Sequence, residues 1–219
     1  MNFSQLLFVN ECAVCKREIR FGAVCPLCTC KLRELVKFDS RLECDGKQSI
    51  PCHFAFRYKD NEPVKNFIFT LKEQASNEVF GLCSKIYLSI CQRLDIDDKK
   101  TVITYIPRSS KNLYKYGYDQ SKKCARLVAN NSNGKFEFCS LIKRKYTSIE
   151  QKYLNREQRK LNTSNKFAVK RCAKNVKPDT KIILDDVVTK ANSVKECAKV
   201  LRNVYGEDVK IYGVFLAAN

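Results

Sequence analysis

KIILDDVVTKANSV, residues Lys181 to Val194, decides how the rest of the chain is read. Ile182, Ile183 and Leu184 form a short apolar run of the kind found in buried strands. Asp185 and Asp186 follow, where the strand is expected to end. Thr189, Lys190, Ala191 and Asn192 make a polar loop, and Ser193 with Glu196 has the S-x-x-E spacing of a capping box, so a helix is expected to start there. Val194, Cys197, Ala198, Leu201 and Val204 recur at helical spacing, and Gly206 suits the residue just past a helix end. The helix N-terminus offers unpaired N–H groups and a positive dipole to an anion. The carboxylates can accept hydrogen bonds from sugar hydroxyls, hold Mg²⁺, or do both. Ligand sites of open α/β sheets lie outside the carboxyl ends of strands, the place this stretch describes. A solvated strand end before an ordinary capped helix would carry the same residues, so the stretch alone leaves both alternatives open.

Outward from this stretch, strands alternate with helices. Cys52 to Tyr58 alternates and is rich in aromatics, Thr101 to Pro107 is β-branched, Phe136 to Cys139 is short, and Val209 to Leu216 is the last strand. Helices are expected over Val64 to Gln74, and from Ser76 or Asn77 with the face Val79, Cys83, Ile86, Tyr87, Ile90 and Leu94. Asp119 can cap another that carries Cys124, Leu127 and Val128. Arg33 to Ser49 is mixed and polar and is expected to be a connector. This order is that of an α/β protein with a parallel sheet. The expected organisation is an N-terminal element and connector over 1–50 and the α/β domain over 51–219.

Cysteine usage sets off the N-terminus. Of the 13 cysteines, Cys12-x-x-Cys15 and Cys25-x-x-Cys28 form two hooks. Each C-x-x-C grips one face of a tetrahedral ion, and two together make a Cys₄ zinc site with no open position, structural rather than catalytic. Cys30, Cys44 and Cys52 are further candidate ligands, of which Cys44 and Cys52 lack the hook spacing. Single cysteines scattered through helices, such as Cys83, Cys91, Cys124 and Cys197, do not suit a secreted disulfide scaffold, and the expected compartment is the cytoplasm. No signal peptide and no apolar run of membrane-spanning length is found.

The chain carries 41 Lys and Arg against 23 Asp and Glu, a net charge of +18, which favours a polyanionic partner, nucleic acid first. Two stretches concentrate the cations. Pro107 to Ala129 interleaves Arg108 and several lysines with Tyr114, Tyr116 and Tyr118. Lys143 to Lys177 includes Lys143, Arg144, Lys145, Arg156, Arg159 and Lys160. Lys and Arg track phosphates and tyrosines stack on bases, so Arg108, Tyr116, Tyr118 and these six cations are the candidate nucleic-acid contacts. With one histidine, His53, general acid–base chemistry by histidine is not expected.

Asp185-Asp186-Val187-Val188-Thr189-Lys190-Ala191-Asn192-Ser193 is similar to the DDxxTTGxT signature of type I phosphoribosyltransferases. The order of features resembles the ComF-type competence proteins over about Cys12 to the last residue. Those have a four-cysteine zinc element and a segment like Phe56–Tyr58 and Phe67–Lys72. A motif like Tyr116-Gly117-Tyr118-Asp119-Gln120 follows, then a basic stretch like Gln151 to Phe167, then the D-D-x-x-T loop. The resemblance implies a Rossmann-like phosphoribosyltransferase fold that binds phosphoribosyl pyrophosphate or a related sugar phosphate with Mg²⁺. It assigns Asp185 and Asp186 to the catalytic position and to ribose hydroxyls, and Thr189, Lys190, Ala191, Asn192 and Ser193 to phosphate. It implies handling of imported single-stranded DNA during natural transformation, with competence or DNA-processing proteins as partners. Tyr116, Asp119, Lys190 and Ala191 depart from the family pattern, so an active transferase releasing pyrophosphate and a non-catalytic regulatory or scaffold module are both left open.

Overall fold

The computed structural model describes residues 10–44, 48–59, 61–96, 100–145, 166–171, 173 and 178–219. Its centre is a six-stranded sheet. The strands in chain order are β3 (Asp39–Cys44), β4 (Ser49–Arg57), β5 (Thr101–Tyr105), β6 (Glu137–Phe138), β9 (Thr180–Val188) and β10 (Lys210–Ala218). Their spatial order is β3-β4-β10-β9-β5-β6. Every neighbouring pair from β4 to β6 is parallel, and β3 runs antiparallel on the edge. The fold is therefore α/β with a central parallel sheet. Its core strands are buried along their length, as in β5 and residues 180–184 of β9, because helices cover both faces.

Helices α2 (Glu62–Glu73), α3 (Asn77–Cys91) and α5 (Gln120–Asn130) pack their apolar stripes on one face, around Phe56, Phe67, Tyr87, Leu184 and Leu216. Helix α6 (Asn192–Tyr205) covers the other face through Val194, Cys197, Ala198 and Leu201, together with the small antiparallel sheet of β7 (Ile142–Arg144) and β8 (Phe167–Val169). The chain runs β5–α5–β6 toward one edge with its helix on the first face. It runs β9–α6–β10 toward the other edge with its helix on the second. The crevice between the carboxyl ends of β5 and β9 is thus the topological switch point, where open α/β sheets bind ligands.

Sequence signals survive locally where a side chain closes its own cap. Ser76 accepts a hydrogen bond from the N–H of Val79 at 3.3 Å, and Asp119 from that of Lys122 at 3.1 Å, each as the N-cap of its helix. Three expectations are corrected. The polar stretch Arg33 to Ser49 is not a connector: it finishes helix α1 (Pro26–Leu35) and forms edge strand β3. Strand β9 does not stop at the acidic pair. Register with β10 runs from Thr180 to Val188, because β10 supplies ladder partners beyond the aspartates. Val204 is 38% exposed and lies off the buried face of α6.

The N-terminal element is built on the main core. Strands β1 (Asn10–Glu11) and β2 (Glu18–Ile19) pair antiparallel, and α1 follows. Cys12, Ala13, Val14, Cys28 and Leu32 belong to the same buried cluster as Val64, Phe67 and Ile68 of α2. The Lys16 ammonium donates to Thr70 Oγ1 at 2.7 Å, and that hydroxyl donates to the Ala13 carbonyl at 2.9 Å. Among the described residues no helix is long and apolar enough to cross a membrane.

Candidate functional site

A cavity of about 300 Å³ opens at the switch point. Asp185, Thr189, Lys190, Ala191, Asn192 and Ser193 all line it, with Ile106 on the β5 side and Lys166 beside β8. The stretch singled out from sequence therefore closes on itself around one cleft. Lys166 was not among the sequence candidates. Only the long-range pairing of β7 with β8 brings it there, so no local signal could have found it.

The loop differs from its expected form. Helix α6 begins at Asn192 with Ala191 as its N-cap, and no side chain caps it. The capping box is not formed: Ser193 is already helical, and Glu196 sits among the cations Arg144 and Lys166. Burial raises the Glu196 carboxyl, and the two cations pull it back. Ala191 has φ 53 and ψ 7, the left-handed region, and it is buried. That conformation costs an L-residue roughly 1–2 kcal/mol, which glycine does not face. Ala191→Gly is expected to stabilise the protein by about 1 kcal/mol, part of the gain being returned to the unfolded chain's entropy. Urea unfolding measures it, and a loss of stability would place the loop in another conformation.

The two aspartates have different surroundings. Asp186 is 5% exposed. The Lys72 ammonium lies 3.0 Å from one of its oxygens, and Gln120 Nε2 donates to the other at 2.7 Å. Asp185 is half-buried and borders the cleft, receiving the Ser121 hydroxyl at 2.8 Å, while Tyr87 donates to its backbone carbonyl at 2.8 Å. Burial, and then the neighbouring Asp186 charge, push the Asp185 carboxyl up to about 8. For Lys72, burial acts downward but Asp186 outweighs it, so the ammonium is held above its ordinary range.

The sign for stability follows from Asp185. Between its ordinary value of 3.8 and about 8, the folded protein keeps a proton that the unfolded chain has released. Stability is therefore expected to fall as pH rises through that window, by at most about 1.4 kcal/mol per pH unit, and to level off above it. Asp185→Asn removes that slope. Urea titrations of both proteins from pH 5 to 9 check it, and identical pH profiles would count against a proton on Asp185.

Tyr116 to Gln120 ties helices together. Gly117, with φ 74, ends α4 (Ser110–Tyr116) in the left-handed turn that glycine tolerates. The Arg108 guanidinium lies 4.3 Å from the Tyr116 ring centroid and donates to the carbonyls of Tyr118 and Lys72 at 3.2 and 2.9 Å. Tyr116 donates to Glu73 at 2.7 Å. Tyr118 Oη accepts from the Ala75 N–H and donates to the Leu71 carbonyl, both at 3.1 Å. Arg108, Tyr116 and Tyr118 thus hold the end of α2, and Lys72 with it, against α5. Lys143 and Lys145 are exposed, and Arg144 lies 5.1 Å from the Phe167 ring centroid. Arg156, Arg159 and Lys160 lie outside the described residues.

No family model matches this chain, and no curated protein matches it. Solved structures similar to it include the allosteric regulatory enzyme of purine biosynthesis, at 12% identity and a TM-score of 0.45 over 68% of this chain. This chain spans 30% of that enzyme's length. Another is adenine phosphoribosyl transferase from Trypanosoma brucei in complex with AMP, pyrophosphate and ribose-5-phosphate, at 11% identity and a TM-score of 0.35, covering 87% of this chain and 79% of that one.

The four hook cysteines also converge. The sulfurs of Cys12, Cys15, Cys25 and Cys28 all lie within 4.8 Å of one another, and those of Cys15 and Cys25 are 3.8 Å apart. The edge of a ZnS₄ tetrahedron with bonds of about 2.3 Å is about 3.8 Å, so the thiols can hold such an ion. Burial would raise the Cys12 thiol, but backbone N–H groups of Cys15, Cys25 and Val14 bring it down to about 6, while burial and the neighbouring thiols push Cys28 up to about 12. Cys30, Cys44 and Cys52 stand outside this cluster.

Proposed function

We propose that this chain is a phosphoribosyltransferase-like protein of the ComF type that binds phosphoribosyl pyrophosphate or a related sugar phosphate in the cleft at Asp185. One observation carries this: Asp185 and the Thr189–Ser193 loop line a single cavity at the sheet's switch point. The Asp185 carboxyl accepts hydrogen bonds from hydroxyls and, once it has lost its proton above about pH 8, repels phosphate, so the sugar lies with its hydroxyls toward Asp185 and its phosphate toward the α6 N-terminus. Lys190 and Lys166 supply cations on the phosphate side. Asp186 acts behind Asp185, through Lys72 and Gln120, and Mg²⁺ binds with the pyrophosphate. Cys12, Cys15, Cys25 and Cys28 hold a structural Zn²⁺ in an N-terminal module over 1–50, beside a phosphoribosyltransferase-like domain over 51–219.

Calorimetry with ribose 5-phosphate and phosphoribosyl pyrophosphate tests this. At pH 9, where Asp185 is ionised, wild type is expected to bind both, and Asp185→Asn to lose at least about tenfold in affinity, the worth of a charge-assisted hydrogen bond. If Asp185→Asn binds as wild type does, the aspartate is a solvated strand end and the assignment fails.

The net charge of +18 supports single-stranded DNA as the cytoplasmic partner, with Lys143 and Lys145 exposed toward it. Affinity would then fall steeply with salt, and Arg156, Arg159 and Lys160 changed together to Ala would flatten that slope.

A further inference from the structure

Edge strand β3 carries two inward charges, Arg41 and Glu43, beside the loop that borders the cleft. Arg41 Nη2 donates to the Thr189 carbonyl at 2.6 Å, and Nη1 donates to the Asn219 carbonyl at 3.0 Å. Its Nε pairs with Glu43 at 2.9 Å, and the other Glu43 oxygen lies 2.8 Å from the ammonium of Lys195, in the first turn of α6. One guanidinium and one carboxylate thus tie the edge strand to both ends of the Thr189–Ser193 loop. Inward charges on an edge strand also guard against edge-to-edge pairing. That role needs only the charge; it does not need the planar fork of Arg41 on two carbonyls that lie far from it in sequence.

We propose that Arg41 is a positioning residue for the phosphate side of the cleft: with Glu43 and Lys195 it holds the Thr189–Ser193 loop and the first turn of α6 in the ligand-ready conformation before any sugar phosphate arrives. The binding half of this rests on the sugar-phosphate assignment above; the loop-holding half does not. Preorganisation raises affinity by removing the ordering cost from the binding step.

The test uses the full chain as Arg41→Met and Arg41→Lys, read by amide hydrogen exchange and by calorimetry with ribose 5-phosphate. In Arg41→Met, exchange over Lys190–Val194 is expected to quicken about tenfold, the worth of one charge-assisted hydrogen bond, with β9 and β10 unchanged. Ribose 5-phosphate affinity falls by a similar factor. Arg41→Lys keeps the edge charge but loses the fork, and falls between the two. If Arg41→Met does not fold, Arg41→Lys carries the comparison. Unchanged loop exchange in the folded variants overturns the proposal whatever the ligand does. Faster exchange with undiminished affinity overturns the preorganisation it claims. Failure of wild type to bind ribose 5-phosphate overturns the sugar-phosphate assignment and with it the binding half, while the exchange comparison still decides whether Arg41 holds the loop.

Discussion

Cys28→Ser is expected to abolish the proposed zinc binding and to lower the melting temperature by more than about 10 °C. A structural zinc ion contributes roughly 10–16 kcal/mol of apparent binding free energy in small domains, and that energy is folding energy where the site does not exist unfolded. Losing one thiolate of four forfeits several kcal/mol of it. In a chain of this size about 1 kcal/mol moves the melting temperature by about 2–4 °C. The element has little else to hold it, since β1 and β2 are two residues each and α1 buries only Cys28 and Leu32. Its contact with the main core is the apolar packing of Cys12, Ala13, Val14, Cys28 and Leu32 near α2, with Thr70, the carbonyl of Ala13 and the Lys16 ammonium as polar links. Cys30→Ser, on an exposed residue outside the four-sulfur cluster, is the control and is expected to leave both metal content and melting temperature alone. Metal analysis with differential scanning calorimetry checks both. A Cys28→Ser protein that melts with wild type would remove the ion from the folding balance.

What the sequence shows of this fold divides by range. Caps written in one turn, Ser76 and Asp119, are legible because donor and acceptor are three residues apart. The two C-x-x-C hooks are legible because thiol chemistry and spacing both point to one ion. Strand β3 is not, because its inward positions are Arg41 and Glu43, whose partners Thr189, Asn219 and Lys195 lie on the far side of the chain. The loop at Ala191 is half legible. Its residues mark the cleft, but the left-handed turn at Ala191 and the diversion of Glu196 toward Arg144 and Lys166 come from tertiary packing. The acidic pair is the sharpest case. Adjacent in sequence and alike in chemistry, Asp185 and Asp186 are separated in surroundings by α2 and α5, which deliver the direct contacts of Lys72 and Gln120 to only one of them.

Lys72→Met follows from that separation. It leaves Asp186, 7% exposed at its side chain, with Gln120 as its remaining polar partner. Breaking a fully buried ion pair from one side costs about 3–5 kcal/mol, because an uncompensated charge stays inside. Lys72 is itself 36% exposed, so water screens part of the loss, and about 2–3 kcal/mol is the expected destabilisation at pH 7. Adding Asp186→Asn to Lys72→Met removes the stranded charge and is expected to recover most of the stability, although each single change is costly, a non-additivity that marks direct coupling. The double variant also bears on the cleft. With no charge left at position 186, the Asp185 carboxyl loses the neighbour that holds its proton on and titrates lower. Urea unfolding of wild type, both single variants and the double variant at pH 5, 7 and 9 decides it. A Lys72→Met protein within about 0.5 kcal/mol of wild type at pH 7, the scatter of surface substitutions, would mean that solvent rather than Lys72 compensates Asp186.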